Sequence, residues 1–426
     1  RNSDYTYSTT KLLLSTTGKL TLAPLSGQDY NSFGTFNWDG TFSGNTFTAG
    51  GDAAGLVISN FSSLGGLTLG TYTGTGRVGD SAYTAGNTKL ITIDSAIGIA
   101  GPISLYGDDV TLNANLTTTN ATTGDVWLSG SSVNGAYNLA LANGRVLTVN
   151  ASGSSALTGV VSGTDVVLVK QGAGALVLSG ANTYTGGVTV SAGTVNASNN
   201  TALGTGGVTL TDGRTLVVGT GVTILANALT INGTVTFDVQ AAAVTLSGTI
   251  SGTGGLSMGV AGNGTLTLSG VNSYTGATTV SGGTLAVSAT TGLGTNAAGT
   301  TVATGGTLDL QNITGVDEAL TLSGGTLKTS TGTTTVVTNV VLGANSTVDV
   351  SGTGLTLANP ISGAGFGITK TGAGALTLSG ANTYTGITTV NAGSLVSGAA
   401  DVIADASAVT VGTGATWNLN NNTETI

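Results

Sequence analysis

A unit of the form Gly-x-Gly-x-Leu-x-Leu-Ser-Gly-x-Asn-x-Tyr-Thr-Gly occurs three times in this chain, at 172–186, 262–276 and 372–386. The first and last copies differ at one position, Val177 against Thr377. Each copy continues alike, through Thr189, Thr279 or Thr389 to Val190, Val280 or Val390. Self-similarity of this kind marks an architecture in which a unit buries its apolar face only by stacking on its neighbours. The copies begin 90 and then 110 residues apart (172 to 262, 262 to 372), too far for one strand or one hairpin. Weaker echoes fill the intervals, among them Gly207-Val208-Thr209-Leu210, Thr245-Leu246-Ser247-Gly248 and Thr321-Leu322-Ser323-Gly324. Alternation of period two, bounded by turn residues, reads as strand. The expected fold class is all-β: one long β-solenoid with coils of about 20 residues. Its core would stack Leu176 and Leu178, Leu266 and Leu268, and Leu376 and Leu378. A single inward charge would disrupt that stack.

Composition fits this reading. Seventy-two glycines could suggest collagen, but there are 3 prolines and no three-residue period. Disorder needs low hydrophobicity and high charge, whereas 39% of the residues are hydrophobic and 7% charged. The glycines are expected at tight turns, where a positive φ carries no steric cost. A charge repeated at equivalent positions would face its own copy across about 4.8 Å. Neutral Thr, Ser and Asn ladders avoid that repulsion. A net charge of −9 without basic clusters excludes nucleic acid as a partner. No apolar run approaches the roughly 20 residues of a membrane helix.

Three regions are expected. Residues 1–85 form an aromatic-rich cap and assembly region, with Phe33, Phe36, Trp38, Phe42, Phe47 and Phe61 outside any repeat. A solenoid needs atypical terminal units to cover its open ends. Residues 86–150 carry short alternating strands, and Gly107-Asp108-Asp109-Val110-Thr111-Leu112 resembles the coils of filamentous-haemagglutinin-like β-helices. Residues 151–426 hold the glycine-rich repeats. The stretches Lys170-Gln171-Gly172-Ala173-Gly174 and Lys370-Thr371-Gly372-Ala373-Gly374, each leading into the repeated unit, resemble the autotransporter-associated β-strand repeat. Val260 stands where the second copy would have that lysine. The resemblance implies an elongated right-handed parallel β-solenoid exported to the bacterial cell surface as a passenger domain.

Catalysis is not expected. The chain has no His and no Cys, which excludes Ser-His-Asp and Cys-His chemistry and metal sites built on those ligands. Paired carboxylates need convergence on one cleft. The adjacent acidic pairs, Asp108-Asp109 and Asp317-Glu318, read as turn residues after Gly107 and Gly315. No cofactor and no metal site is expected. Tyr184, Tyr274 and Tyr384 read as turn tyrosines with an apolar ring and a wettable hydroxyl. Asn182, Asn272 and Asn382 read as turn formers.

Two functions follow from different classes. The first is a structural subunit that joins copies of itself head to tail into a surface filament. The third unit stops soon after Gly386, so an open last coil would offer unpaired backbone groups. An N-terminal segment of the next copy would complete it by strand addition. The expected interface comprises Leu12, Leu13, Leu14, Leu20, Leu22, Phe36 and Trp38 at one end, and Trp417, Leu419 and Ile426 at the other. The alternative is a monomeric adhesin passenger that contacts host or neighbouring cells, their surfaces or their polysaccharide.

Overall fold

Residues 90–425 are described by a computed structural model, apart from 94, 95, 108, 241, 242 and 260–263. Six earlier strands are described as well: Leu12–Leu14, Lys19–Leu22, Gly40–Ser43, Thr46–Ala49, Leu56–Ile58 and Gly66–Leu69. Every regular element among these residues is a β-strand. The chain divides into two compact units, Arg1–Val208 and Thr209–Ile426. Each is a parallel β-solenoid.

The winding follows from strand length. Strands of two to six residues, such as Val161–Ser162 and Val146–Ala151, are followed within two residues by a glycine, Gly163 and Gly153. The chain then bends to the next face and returns in parallel register one turn later. In the regular part, strand partners on neighbouring turns are 19 to 23 residues apart. Within strands burial alternates, as in Ile103–Tyr106 and Thr265–Leu268, so every second side chain enters the core.

The first unit has three faces in its regular part. One runs through Asp109–Leu112, Ser132–Gly135, Ser155–Leu157, Ala175–Leu178 and Thr194–Ala197. The next is shorter: Ile97–Ile99, Leu116–Thr118, Leu139–Ala140 and Val161–Ser162. The last stacks Val126–Gly130, Val146–Ala151, Val167–Gln171 and Gly187–Val190. Near the N-terminus Lys19–Leu22 pairs with Gly66–Leu69, and Leu12–Leu14 with Leu56–Ile58, both in parallel. A hairpin of Gly40–Ser43 and Thr46–Ala49 adds antiparallel pairing beside Leu56–Ile58.

The second unit is wound the same way. Its longest core column runs Val244, Leu266, Leu285, Leu308, Leu327, Val348, Lys370 and Val390 in register, so a lysine stands where the column calls for an apolar residue. Outward positions carry a neutral ladder, Ser257, Thr279, Thr301 and Thr321, as the composition predicts.

Candidate functional site

The repeated unit occupies one corner of a turn and the face that follows. Its two leucines point inward and are buried in all three copies. Between them and the next strand, the Ser-Gly-x-Asn-x-Tyr-Thr-Gly segment takes the place of a strand. In the first unit it follows Val161–Ser162 and ends that face as regular sheet. In the second unit the copy at 262–276 lies one turn after Ile250–Ser251, and the copy at 372–386 one turn after Ile361–Ser362. Those two strands belong to different faces of that unit. The two copies therefore present their loops on different sides of it.

The asparagine holds this loop in place. Asn182, Asn272 and Asn382 are buried, and each amide joins three turns. The Oδ1 atoms accept from the backbone N–H of Val161, Ile250 and Ile361 at 2.8, 2.8 and 2.6 Å. The Nδ2 atoms donate to the carbonyls of Ala202, Gly292 and Val402 on the turn above, each at 2.6 Å. A strand lost from the ladder leaves backbone groups needing partners. The carboxamide, with donor and acceptor on one planar group, supplies both. These residues are clamps between turns and more than turn formers.

The tyrosines are fully buried, hydroxyl included, so water does not reach the polar end expected from sequence. Tyr274 and Tyr384 share hydrogen bonds of 2.7 and 2.6 Å with Thr278 and Thr388, four residues on. The first copy has Val188 there, and the Tyr184 hydroxyl finds no partner among the described residues. Burial pushes all three phenols up, Tyr384 to about 12.

Lys170 and Lys370 are inward charges that the stack tolerates. Lys170 sits between Val149 and Val190, and Lys370 between Val348 and Val390. The Nζ of Lys170 donates to the carbonyls of Gln171, Gly172 and Ala192 at 2.7, 2.7 and 3.3 Å. Lys370 bonds likewise to Thr371, Gly372 and Ala392 at 2.7, 2.8 and 3.1 Å. Three donors meet three acceptors, so the buried ammonium is hydrogen-bonded in full. Burial lowers the Lys370 pKa, and the Asp349 carboxylate opposes that shift. The equivalent Val260 lies outside the described residues.

Glycines serve two purposes in the unit. Gly172 and Gly372 have φ of 74° and 76°, as expected of turn glycines. Gly174 and Gly374 do not; there the turn beneath comes too close, and an added Cβ would lie 1.9 Å from the Gly153 carbonyl oxygen or 2.1 Å from that of Gly352. Conserving the coil spacing, rather than a turn conformation, requires glycine at this pair.

A separate feature lies in the second unit where its third face is irregular. The segments 288–299 and 311–318 bound a cleft of about 270 Å³, lined by Val287, Leu293, Ile313, Val316, Asn296, Asp317 and Glu318 among others. Asp317 is exposed and accepts from Asn296 Nδ2 at 3.0 Å. Glu318 is 5% exposed, and its Oε1 accepts from Thr300 Oγ1 at 2.9 Å. Burial pushes the Glu318 carboxyl up to about 7; the Thr300 bond opposes this and Asp317 adds to it. Sequence reasoning placed this pair in a solvated turn and missed the burial of its second member. Asp109, from the other acidic pair, opens the strand Asp109–Leu112 and accepts from Ser132 Oγ at 2.6 Å. Asp108 lies outside the described residues.

Seven of the ten residues expected at a subunit interface fall among the described residues. Leu12, Leu13 and Leu14, like Leu20 and Leu22, lie in strands already paired within the chain. Trp417 lies in Thr416–Asn418, paired with Ser394–Ser397, and its Nε1 donates to Ser397 Oγ at 3.2 Å. Leu419 is exposed. Phe36, Trp38 and Ile426 lie outside the described residues. No cluster of three or more acidic side chains fit to hold a metal occurs among the described residues.

A parallel solenoid whose loops are stitched by repeated Asn and Tyr residues matches a known class. Residues 168–197, 260–287 and 368–396 match the family model for the Passenger-associated-transport-repeat. The chain thus carries three such repeats and has the build of an autotransporter-passenger β-solenoid. It is 31% identical over 378 residues to a protein described as Adhesin BmaC autotransporter, from Brucella suis biovar 1 (strain 1330). That match covers 81% of this chain and 10% of the relative, so the chain spans about a tenth of its length. No solved structure matches. These similarities favour the adhesin reading over the filament reading, and nothing in them supports head-to-tail assembly.

Proposed function

We propose that this chain is a segment of a non-enzymatic, surface-displayed adhesin passenger. The observation that carries this reading is the 31% identity, running through 81% of the chain, to a protein described as an adhesin autotransporter. Physical features support it. The repeat spends its polar side chains on bonds between turns, leaving Asn, Lys and most of the Tyr hydroxyls already engaged. Exposed apolar side chains stand at the loop instead, Val271 within the second copy at 68% exposure and Ile387 directly after the third at 57%. Such a scaffold holds exposed loops at fixed positions without itself offering catalytic groups.

The test is attachment. Cells expressing the native full-length gene should lose adhesion to their target surface when residues 90–425 are deleted in frame and the rest still reaches the surface. Unchanged adhesion would refute the assignment. Electron microscopy of the purified chain should show separate particles; regular filaments would reinstate end-to-end assembly.

A further inference from the structure

The cleft beside Glu318 is not used by the repeat, and its chemistry is uneven. Four apolar side chains, Val287, Leu293, Ile313 and Val316, line it beside two asparagines and three threonines. Its charged members are Asp317 and Glu318, both acidic. Thr300 satisfies one oxygen of Glu318, and among the described residues no donor reaches Oε2. The titratable groups that face Glu318 are Asp317, next to it in the chain, and Tyr274, whose phenol its charge also raises. Neither is a cation. A carboxylate this deeply placed is normally paired, because desolvation penalises the free charge.

We propose that this cleft binds an aliphatic primary ammonium, with the alkyl stem against Leu293 and Val316 and the ammonium on the free oxygen of Glu318. The size fits: 270 Å³ falls just below the range of about 300–1,000 Å³ usual for small-molecule sites, so a stem of a few carbons fills it. An anion would meet two like charges. A neutral polyol would leave the apolar walls and the Glu318 charge unmatched. A divalent cation needs several oxygen ligands, and no cluster of three acidic groups exists among the described residues. An alkylammonium matches both halves of the cleft, because its stem buries apolar area and its head makes a charge-assisted bond. This site goes beyond the display function and does not depend on it.

Glu318 and Glu424 are the only glutamates in the chain, so glutamate labelled with ¹³C at the side-chain carboxyl gives two resonances. Glu318→Gln assigns them. Addition of n-butylammonium chloride at pH 8 should move the Glu318 resonance saturably. Saturating amine should also lower its titration midpoint from about 7. Glu318→Gln should weaken butylammonium binding about tenfold or more, while Asp317→Asn, at the exposed rim, should change it by no more than about threefold. Nα-acetyl-lysine N-methylamide separates the two sources of such a group. Equal binding points to a lysine of another protein, and binding of butylammonium alone points to a free amine. If Glu318→Gln fails to fold, the shift of the wild-type midpoint by amine decides the matter. The absence of a saturable shift, equal affinity for n-butanol, or unchanged affinity in a folded Glu318→Gln protein would overturn the proposal.

Discussion

A side chain that serves the turn below and the turn above at once cannot be replaced by one that serves a single neighbour. For Asn382→Ala, the Ile361 N–H loses its buried partner and the Val402 carbonyl keeps only the longer bond, 3.4 Å, from the residue 382 N–H. At about 1–3 kcal/mol for the unsatisfied group, with the lost bond to Val402 added, the variant should lose roughly 2–4 kcal/mol in denaturant unfolding. Asn382→Asp keeps the acceptor and loses the donor, so it should fall between. The tyrosines offer an internal control. Tyr274→Phe and Tyr384→Phe each delete a buried hydrogen bond and should cost about 1 kcal/mol. Tyr184→Phe deletes an unpartnered hydroxyl and should be neutral or stabilising. Val188→Thr should stabilise the first copy by giving Tyr184 the partner its counterparts have. Glu318 sets a pH dependence. Its folded pKa, about 7, lies above the ordinary carboxylate value, so the folded state binds the extra proton between the two. Its contribution to stability is full below the ordinary value and is lost as pH rises through 7. The melting temperature should therefore drop between pH 5 and pH 8 more steeply in the wild type than in Glu318→Gln.

At the scale of strands and loops, the closeness of successive turns dominates. Gly374→Ala drives a Cβ against the Gly352 carbonyl and should cost about 1–3 kcal/mol or more, since backbone has little room to give. Gly98→Ala, in Ile97–Ile99 with nothing within 4 Å of the added atom, should be close to neutral by the same unfolding measurement. Period-two alternation and the repeated unit made the parallel strands and the inward leucines legible in advance. The faces were not legible. Turns of 19 to 23 residues share no fixed phase with copies spaced 110 apart, so the side on which a loop emerges depends on each intervening bend. The polar core was hidden for a related reason. Lys370 is inward because it continues a column through Val348, and Glu318 is buried because a strand is missing from its face. Neither cause is local to the residue that shows it. A Gly-x-Asp-Glu sequence looks the same over a closed face and over an open one.

For the molecule as a whole, display outside the cell is the claim that gives the rest its purpose. Neutral ladders, interturn clamps and exposed loops suit a scaffold that holds its surface in place. The most direct measurement is accessibility on intact cells that express the native full-length gene. Antibodies raised against the segments around Val271 and Ile387 should label unpermeabilised cells, and brief treatment of those cells with an added protease should remove the signal. Labelling that requires permeabilisation, with the chain protected from external protease, would contradict the account.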